Sequence, residues 1–137
     1  IKNKILPDYN EALNEINYVP MENMAWVFEK RFYVETTQYR FNRIVFKGID
    51  TFAHVYLNGF FLGFTENMFL EYEFDVSGIL VEGENVLELR FEKILDYLEG
   101  KMAEYGKPQL YTSMDIRRNY ARKMQCSFGW DWGVCIL

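Results

Sequence analysis

The sequence predicts an antiparallel β-sandwich or barrel with one helix added late. Three observations carry this. Of 137 residues, 18% are aromatic, with 12 Phe, 10 Tyr and 3 Trp, and aromatic and β-branched side chains suit a pleated, half-buried surface. Six segments show strand-like patterning at short spacing, with turn residues between them. One pair of these segments is joined by Asn58-Gly59, a dipeptide that tolerates positive φ at both central positions of a tight hairpin.

The first 23 residues, with Pro7 and Pro20, read as an irregular lead-in. "MAWVFEKRFYVE" then alternates. Met24, Trp26, Phe28, Phe32 and Val34 share one face, interrupted by Lys30, and Glu29, Arg31 and Glu35 take the other. "RIVFKGI" is a second strand, with Ile44 and Phe46 on one side. "AHVYLNGFFLGF" is the hairpin, and Gly63 is expected to end or bulge its return strand. "LEYEFDVS" places Leu70, Tyr72, Phe74 and Val76 inward, and "VLELRF" does the same with Leu87, Leu89 and Phe91. Core packing is the expectation for Trp26, Phe28, Phe46, Tyr72 and Phe74. The period then changes. Ile94, Leu95, Leu98 and Met102 recur at helical spacing over 92–105, and Gly106 with Pro108 ends the run. The chain shows no internal repeat, low-complexity tract or second domain, so 1–137 reads as one domain.

Composition excludes several functions. A net charge of −5 speaks against nucleic acid, whose binders show a dominant basic stripe. The one basic cluster, Arg117, Arg118, Arg122 and Lys123, is short and mixed with Asp115 and Tyr120. No apolar run approaches the roughly 20 residues that span a bilayer. Cys126 and Cys135, with His54 the single histidine, match no zinc spacing, and the expectation is two reduced, partly buried thiols, with a disulfide across the Trp-Asp-Trp segment as the alternative. No metal or cofactor is implied. No nucleotide-binding glycine motif and no G-x-S-x-G elbow occurs. The 20 acidic residues fall mostly on outward strand faces or in the helix, without the apolar setting that raises a catalytic carboxyl. His54, inside a strand, is expected to be structural.

The remaining feature is "FGWDWG". Gly129 and Gly133 bracket Trp130, Asp131 and Trp132. In a strand the two tryptophans share a face, whereas in a glycine-bracketed loop all three side chains can converge on one site. An aromatic face packs on the C–H face of a pyranose while a carboxylate accepts its hydroxyls. The residues alone leave a core anchor and a binding loop equally open.

"NYARKMQCSFGWDWG" closely resembles a segment of family 2 glycoside hydrolases of the β-mannosidase type. "FKGIDTFAHVYLNGFFLGFTENMFLEYEFDVSGILVEGENVLELRF" is similar to the sugar-binding-like domain of that superfamily, and the similarity runs from about Pro7 to the end. The resemblance implies a jelly-roll sandwich of the galactose-binding-like kind with one inserted helix. It implies a non-catalytic part of a β-mannosidase, whose two catalytic glutamates lie in a separate (β/α)-barrel and hydrolyse terminal β-mannosides with retention. This chain alone then hydrolyses nothing. Trp130 and Asp131 are the implied substrate contacts, with Trp132, Arg122 and Lys123 supporting the loop or an interface. The implied partners are the barrel and a terminal β-mannoside. The alternatives are an independent carbohydrate-binding module, a domain of another family 2 enzyme such as an exo-glucosaminidase or β-galactosidase, and a purely structural sandwich. Both ends look cut, which predicts an exposed strand edge and self-association of the fragment. No signal peptide is visible, so a cytoplasmic location is the expectation.

Overall fold

Alternation becomes structure at the six expected places. In the computed structural model, β1 is Trp26–Val34, β2 Arg43–Phe46, β3 Ala53–Leu57, β4 Phe60–Thr65, β5 Tyr72–Asp75 and β6 Gly83–Phe91. The helix α1 follows as Ile94–Tyr105. The described residues are 7–8, 11, 13–109 and 115–128. The lead-in is more regular than its composition suggests, with 3₁₀ turns at Asn14–Asn17 and Val19–Asn23. The second of these begins on Val19-Pro20, where proline's preset φ suits a helical first turn.

The strands form two antiparallel sheets, a four-stranded one in the order β1-β6-β3-β4 and a two-stranded one pairing β2 with β5. Two antiparallel sheets and one helix make the all-β arrangement expected of a jelly-roll sandwich. The interior is built where the sheets face each other. Ile49, Ala53 and Val55 are buried, and Phe46, Leu62, Phe74, Leu87, Leu89 and Phe91 pack against them. The register explains the selection. Ala53, Val55 and Leu57 stand opposite Phe91, Leu89 and Leu87, so period two puts all six on one face.

The hairpin forms at Asn58-Gly59, with φ of 50° and 82°, as a tight turn of this hand requires. Gly63 does not end β4, which continues to Thr65. The register slips beside it instead, pairing Val55 with Gly63 but Tyr56 with Phe61, the two-against-one count of a bulge. Gly63 also has a packing reason. A Cβ there would sit 2.6 Å from the Phe74 ring, so the missing side chain lets the second sheet close on β4.

Polar groups staple the turns. Asn85 is fully buried, yet its Nδ2 donates to the Val81 and Gly83 carbonyls, at 2.7 and 3.1 Å. Its Oδ1 accepts from the Val81 N–H and from Asn58 Nδ2. The Tyr72 hydroxyl accepts from the N–H groups of Glu66 and Asn67 and donates to the Asn67 carbonyl.

Three residues depart from the expected interior: Leu70, which precedes β5, is 52% exposed, and the other two lie on β1. Trp26 and Phe28 lie on the β1 face that continues the core, opposite Phe91 and Leu89. They are nonetheless 39% and 59% exposed. The cause is the width of the facing layer. The short β2–β5 sheet brings Phe46 and Phe74 onto the Ile49–Ala53–Val55 cluster, and β1, an edge strand, contributes nothing to that cluster. Phe28 retains an edge-to-face contact with Phe91, centroids 5.5 Å apart.

The chain divides into two compact units, Ala25–Glu92 and the segments on either side of it. In the flanking unit, Leu98 is the buried residue of α1. Gly106, at φ 88°, closes the helix with its N–H donating to the Met102 carbonyl at 2.9 Å, as a glycine just past a helix end does. Among the described residues, no helix is long and apolar enough to cross a membrane.

Candidate functional site

The segment that leads into the tryptophan-aspartate motif starts at Asp115, whose carboxylate caps a 3₁₀ turn over Ile116–Tyr120 by accepting the Arg117 N–H at 2.8 Å. The same carboxylate takes the Arg117 guanidinium, with Nε at 2.9 and 3.0 Å from its two oxygens and Nη2 on Oδ2 as well. Arg117 Nη1 reaches Glu99 on α1 at 3.4 Å. The Arg117 hydrogen bond holds the Asp115 carboxyl below the usual carboxylate range, against the opposing pull of burial, and the pair raises Arg117 in turn. The Tyr120 hydroxyl donates to the Gly106 carbonyl at 2.7 Å, and Asn119 Nδ2 donates to the Ile116 carbonyl at 2.8 Å. Ala121 is buried. A second 3₁₀ turn, Gln125–Phe128, then delivers the chain to Gly129.

Of the expected site residues, Arg122 is exposed and Lys123 half-buried, both on this braced segment. Trp130, Asp131 and Trp132 lie outside the described residues, as does Cys135. Cys126 is a free thiol and is exposed, not partly buried as expected. Sequence reasoning did not find the Asp115–Arg117–Glu99 network. The Asp-Ile-Arg spacing, an N-cap acid two residues before a base, was the available signal.

His54 Nε2 pairs with Glu92 Oε1 at 2.7 Å, with the rings of Phe61 and Phe64 beside it. Among the described residues, the two carboxyls whose pKa moves both move down, Asp115 through Arg117 and Asp75 through Ser77. A general acid needs the opposite direction. Among the described residues, no three His, Cys, Asp or Glu side chains cluster as a metal site.

The whole sequence, residues 1–137, matches the model of the glycosyl hydrolase 2 galactose-binding domain-like family. The chain belongs to that family. It is 33% identical over 141 residues to a β-mannosidase of Capra hircus, covering 95% of this chain and 16% of that protein. To a β-mannosidase of Rattus norvegicus it is 30% identical over 138 residues, 94% of this chain and 16% of the relative. Among solved structures, the β-D-mannosidase of Dictyoglomus thermophilum superposes with a TM-score of 0.89 at 39% identity, over 98% of this chain and 17% of that one. The exo-chitosanase of Amycolatopsis orientalis, at 18% identity and a TM-score of 0.59, shares the fold. This galactose-binding-like chain thus spans about a sixth of the length of the β-mannosidases it matches.

Proposed function

We propose that this chain is the non-catalytic, N-terminal galactose-binding-like domain of a retaining β-mannosidase, and that Trp130 and Asp131 form part of the wall of its pocket for terminal mannose. The observation that carries the reading is similarity over nearly the whole chain to β-mannosidases in both sequence and structure. The arrangement of the described residues supports it. The carboxyls with moved pKa values are held ionised, which suits structure and not acid catalysis. The segment before Gly129 is fastened by an ion-pair network, a cap and a tyrosine hydroxyl, as a loop that must present side chains accurately to a pocket requires.

In this reading the two catalytic carboxyls belong to a barrel outside this chain. Asp131 accepts hydrogen bonds from the sugar hydroxyls and Trp130 shapes the wall. Arg122, Lys123 and Trp132 hold the loop. The test is Asp131→Ala in the enzyme with its catalytic domain. A hydrogen bond to a charged group is worth about 1.5–3 kcal/mol, so kcat/KM on a β-mannoside should fall at least about tenfold. Unchanged kinetics would remove Asp131 from the pocket. The reading also includes self-association of the isolated chain through β1, whose exposed apolar residues and edge position favour added strands.

A further inference from the structure

The strand β1 is symmetric about its middle residue. Trp26–Val34 has Lys30 at its centre, and the residues at equal distances on either side are chemical partners: Glu29 with Arg31, Phe28 with Phe32, Val27 with Tyr33. Among the described residues β1 is a sheet edge, with β6 its single neighbour in the sheet. The strand is open on both faces. Phe28 and Lys30 on the inner face are exposed, as are Val27, Glu29, Arg31 and Tyr33 on the outer one. Arg31 Nε lies 2.9 Å from Glu29 Oε1 and Nη1 3.0 Å from Glu84 Oε1, which engages two of a guanidinium's five donors.

We propose that two copies of this chain pair through β1 as an antiparallel ribbon centred on Lys30, joining their four-stranded sheets into one. This rests on the self-association in the proposed reading and adds the register to it. A two-fold axis at Lys30 sets Glu29 opposite Arg31 of the second copy, Phe28 opposite its Phe32 and Val27 opposite its Tyr33, each pair occurring twice. Paired residues are both even or both odd in number, so the inner face of one sheet runs on into the inner face of the other. Opposite charges and apolar or aromatic pairs directly across from each other are the stabilising unit of such a ribbon. Glu29 and Arg31 of the two copies then form a ring of four charges alternating in sign. Neighbouring registers lose this. Moving the axis to Glu29 or to Arg31 sets like charges across it and puts Lys30 against Phe28 or Phe32. The register at Lys30 carries one unfavourable pair, Lys30 against Lys30, on long stems that can hold their ammonium groups apart. The pairing closes on itself, because each copy's β1 edge is covered by the other's.

The test is the mass of the 137-residue chain against concentration, by sedimentation equilibrium. The wild type should rise from 16.4 kDa to a plateau at twice that mass. Glu29→Arg and Arg31→Glu should each weaken the dimer by about tenfold, since each sets two like-charge pairs across the ribbon. An equimolar mixture of the two variants should dimerise at least as tightly as the wild type, because the reversed charge in one copy then faces its opposite in the other. Disulfide formation reads the register without reversing any charge. In a background of Cys126→Ser and Cys135→Ser, two copies of Lys30→Cys should cross-link at the axis, where opposed Cα atoms stand about 4.5–5.5 Å apart. Two copies of Val27→Cys should not, because they stand as far apart as residues 27 and 33 of one strand, roughly 20 Å. A mixture no tighter than its components, or cross-linking of Val27→Cys in place of Lys30→Cys, overturns the register and leaves self-association through β1 standing. Mass that grows past the dimer overturns the closed pairing in favour of β1 meeting the β4 edge of the next copy. A wild-type chain that stays monomeric at every concentration overturns the register and the self-association together. The pocket assignment is decided separately, by the Asp131→Ala kinetics.

Discussion

The turn end of the sandwich and its β1 edge solve opposite problems. At the turn end, two amides are drawn into the interior and every partner is present. Asn58 donates from Nδ2 to the Ile79 carbonyl at 3.0 Å and to Asn85 Oδ1 at 2.8 Å, and its Oδ1 accepts the Val86 N–H at 2.8 Å. At the β1 edge, Trp26 and Phe28 point to the side where the core continues yet stay 39% and 59% exposed, while Phe32 and Val34 on the same face are half-buried. Buried polar groups are tolerable when their partners are local, and here they come from residues 58, 79, 81, 83, 85 and 86. Apolar burial needs a second surface, and the two-stranded sheet is too narrow to provide one for β1. One end is complete in itself. The other is built to be covered.

The largest effect should come from breaking the complete end. Asn85→Leu keeps the branched shape and heavy-atom count and removes every side-chain bond of a residue with no exposed surface. The Val81 N–H, two carbonyls and Asn58 Nδ2 each lose a partner. At about 1–3 kcal/mol for each group left unsatisfied, with some relaxation, the loss should be at least about 3 kcal/mol in urea unfolding. A loss under about 1 kcal/mol would mean that the amide network is incidental and that the contrast between the two ends fails.

A smaller effect should follow acidification of the flanking unit. The folded-state pKa of Asp115 is depressed by Arg117. Its contribution is therefore present above the ordinary carboxylate value, about 3.9, and is lost as pH falls from there through the lower folded value. Stability should decline over that acid range, and Asp115→Asn should flatten the decline while lowering the plateau at neutral pH. The same acid slope in both proteins would show that other carboxylates govern it.

How much of this was legible follows the same division. The hairpin at Asn58-Gly59, the six strands and the end of α1 at Gly106 rest on local chemistry, and each formed where the pattern placed it. The inward face of β1 was also legible, because alternation alone decides which residues share a side. Whether Trp26 and Phe28 are buried was not, because that depends on how far the opposite sheet extends. The bulge at Gly63 was half legible. The glycine signalled an irregularity, but its closeness to Phe74 is a tertiary fact. The Asp115–Arg117–Glu99 network joins residues up to 18 positions apart across a turn and a helix, and no periodicity announces it. For the loop itself, geometry cannot choose between core anchor and pocket wall, since Trp130 and Asp131 lie outside the described residues.

The smallest effect on stability, and the one that sharpens the contrast, concerns the uncovered edge. Phe28→Thr removes an aromatic ring that is 59% exposed and replaces it with a residue suited to strands. Little burial is lost beyond the Phe91 contact, so the unfolding free energy should change by no more than about 1 kcal/mol. Association should respond far more. The ring sits on an edge strand beside Trp26 and Val27, with apolar surface on both faces of the ribbon, where a second copy can add strand to strand and cover Phe28 in doing so. Light scattering across a concentration series should show the wild-type 137-residue chain growing in mass with concentration and Phe28→Thr growing less. If both stay monomeric throughout, β1 is stable uncovered, and the difference between the two ends is one of packing alone and not of completeness.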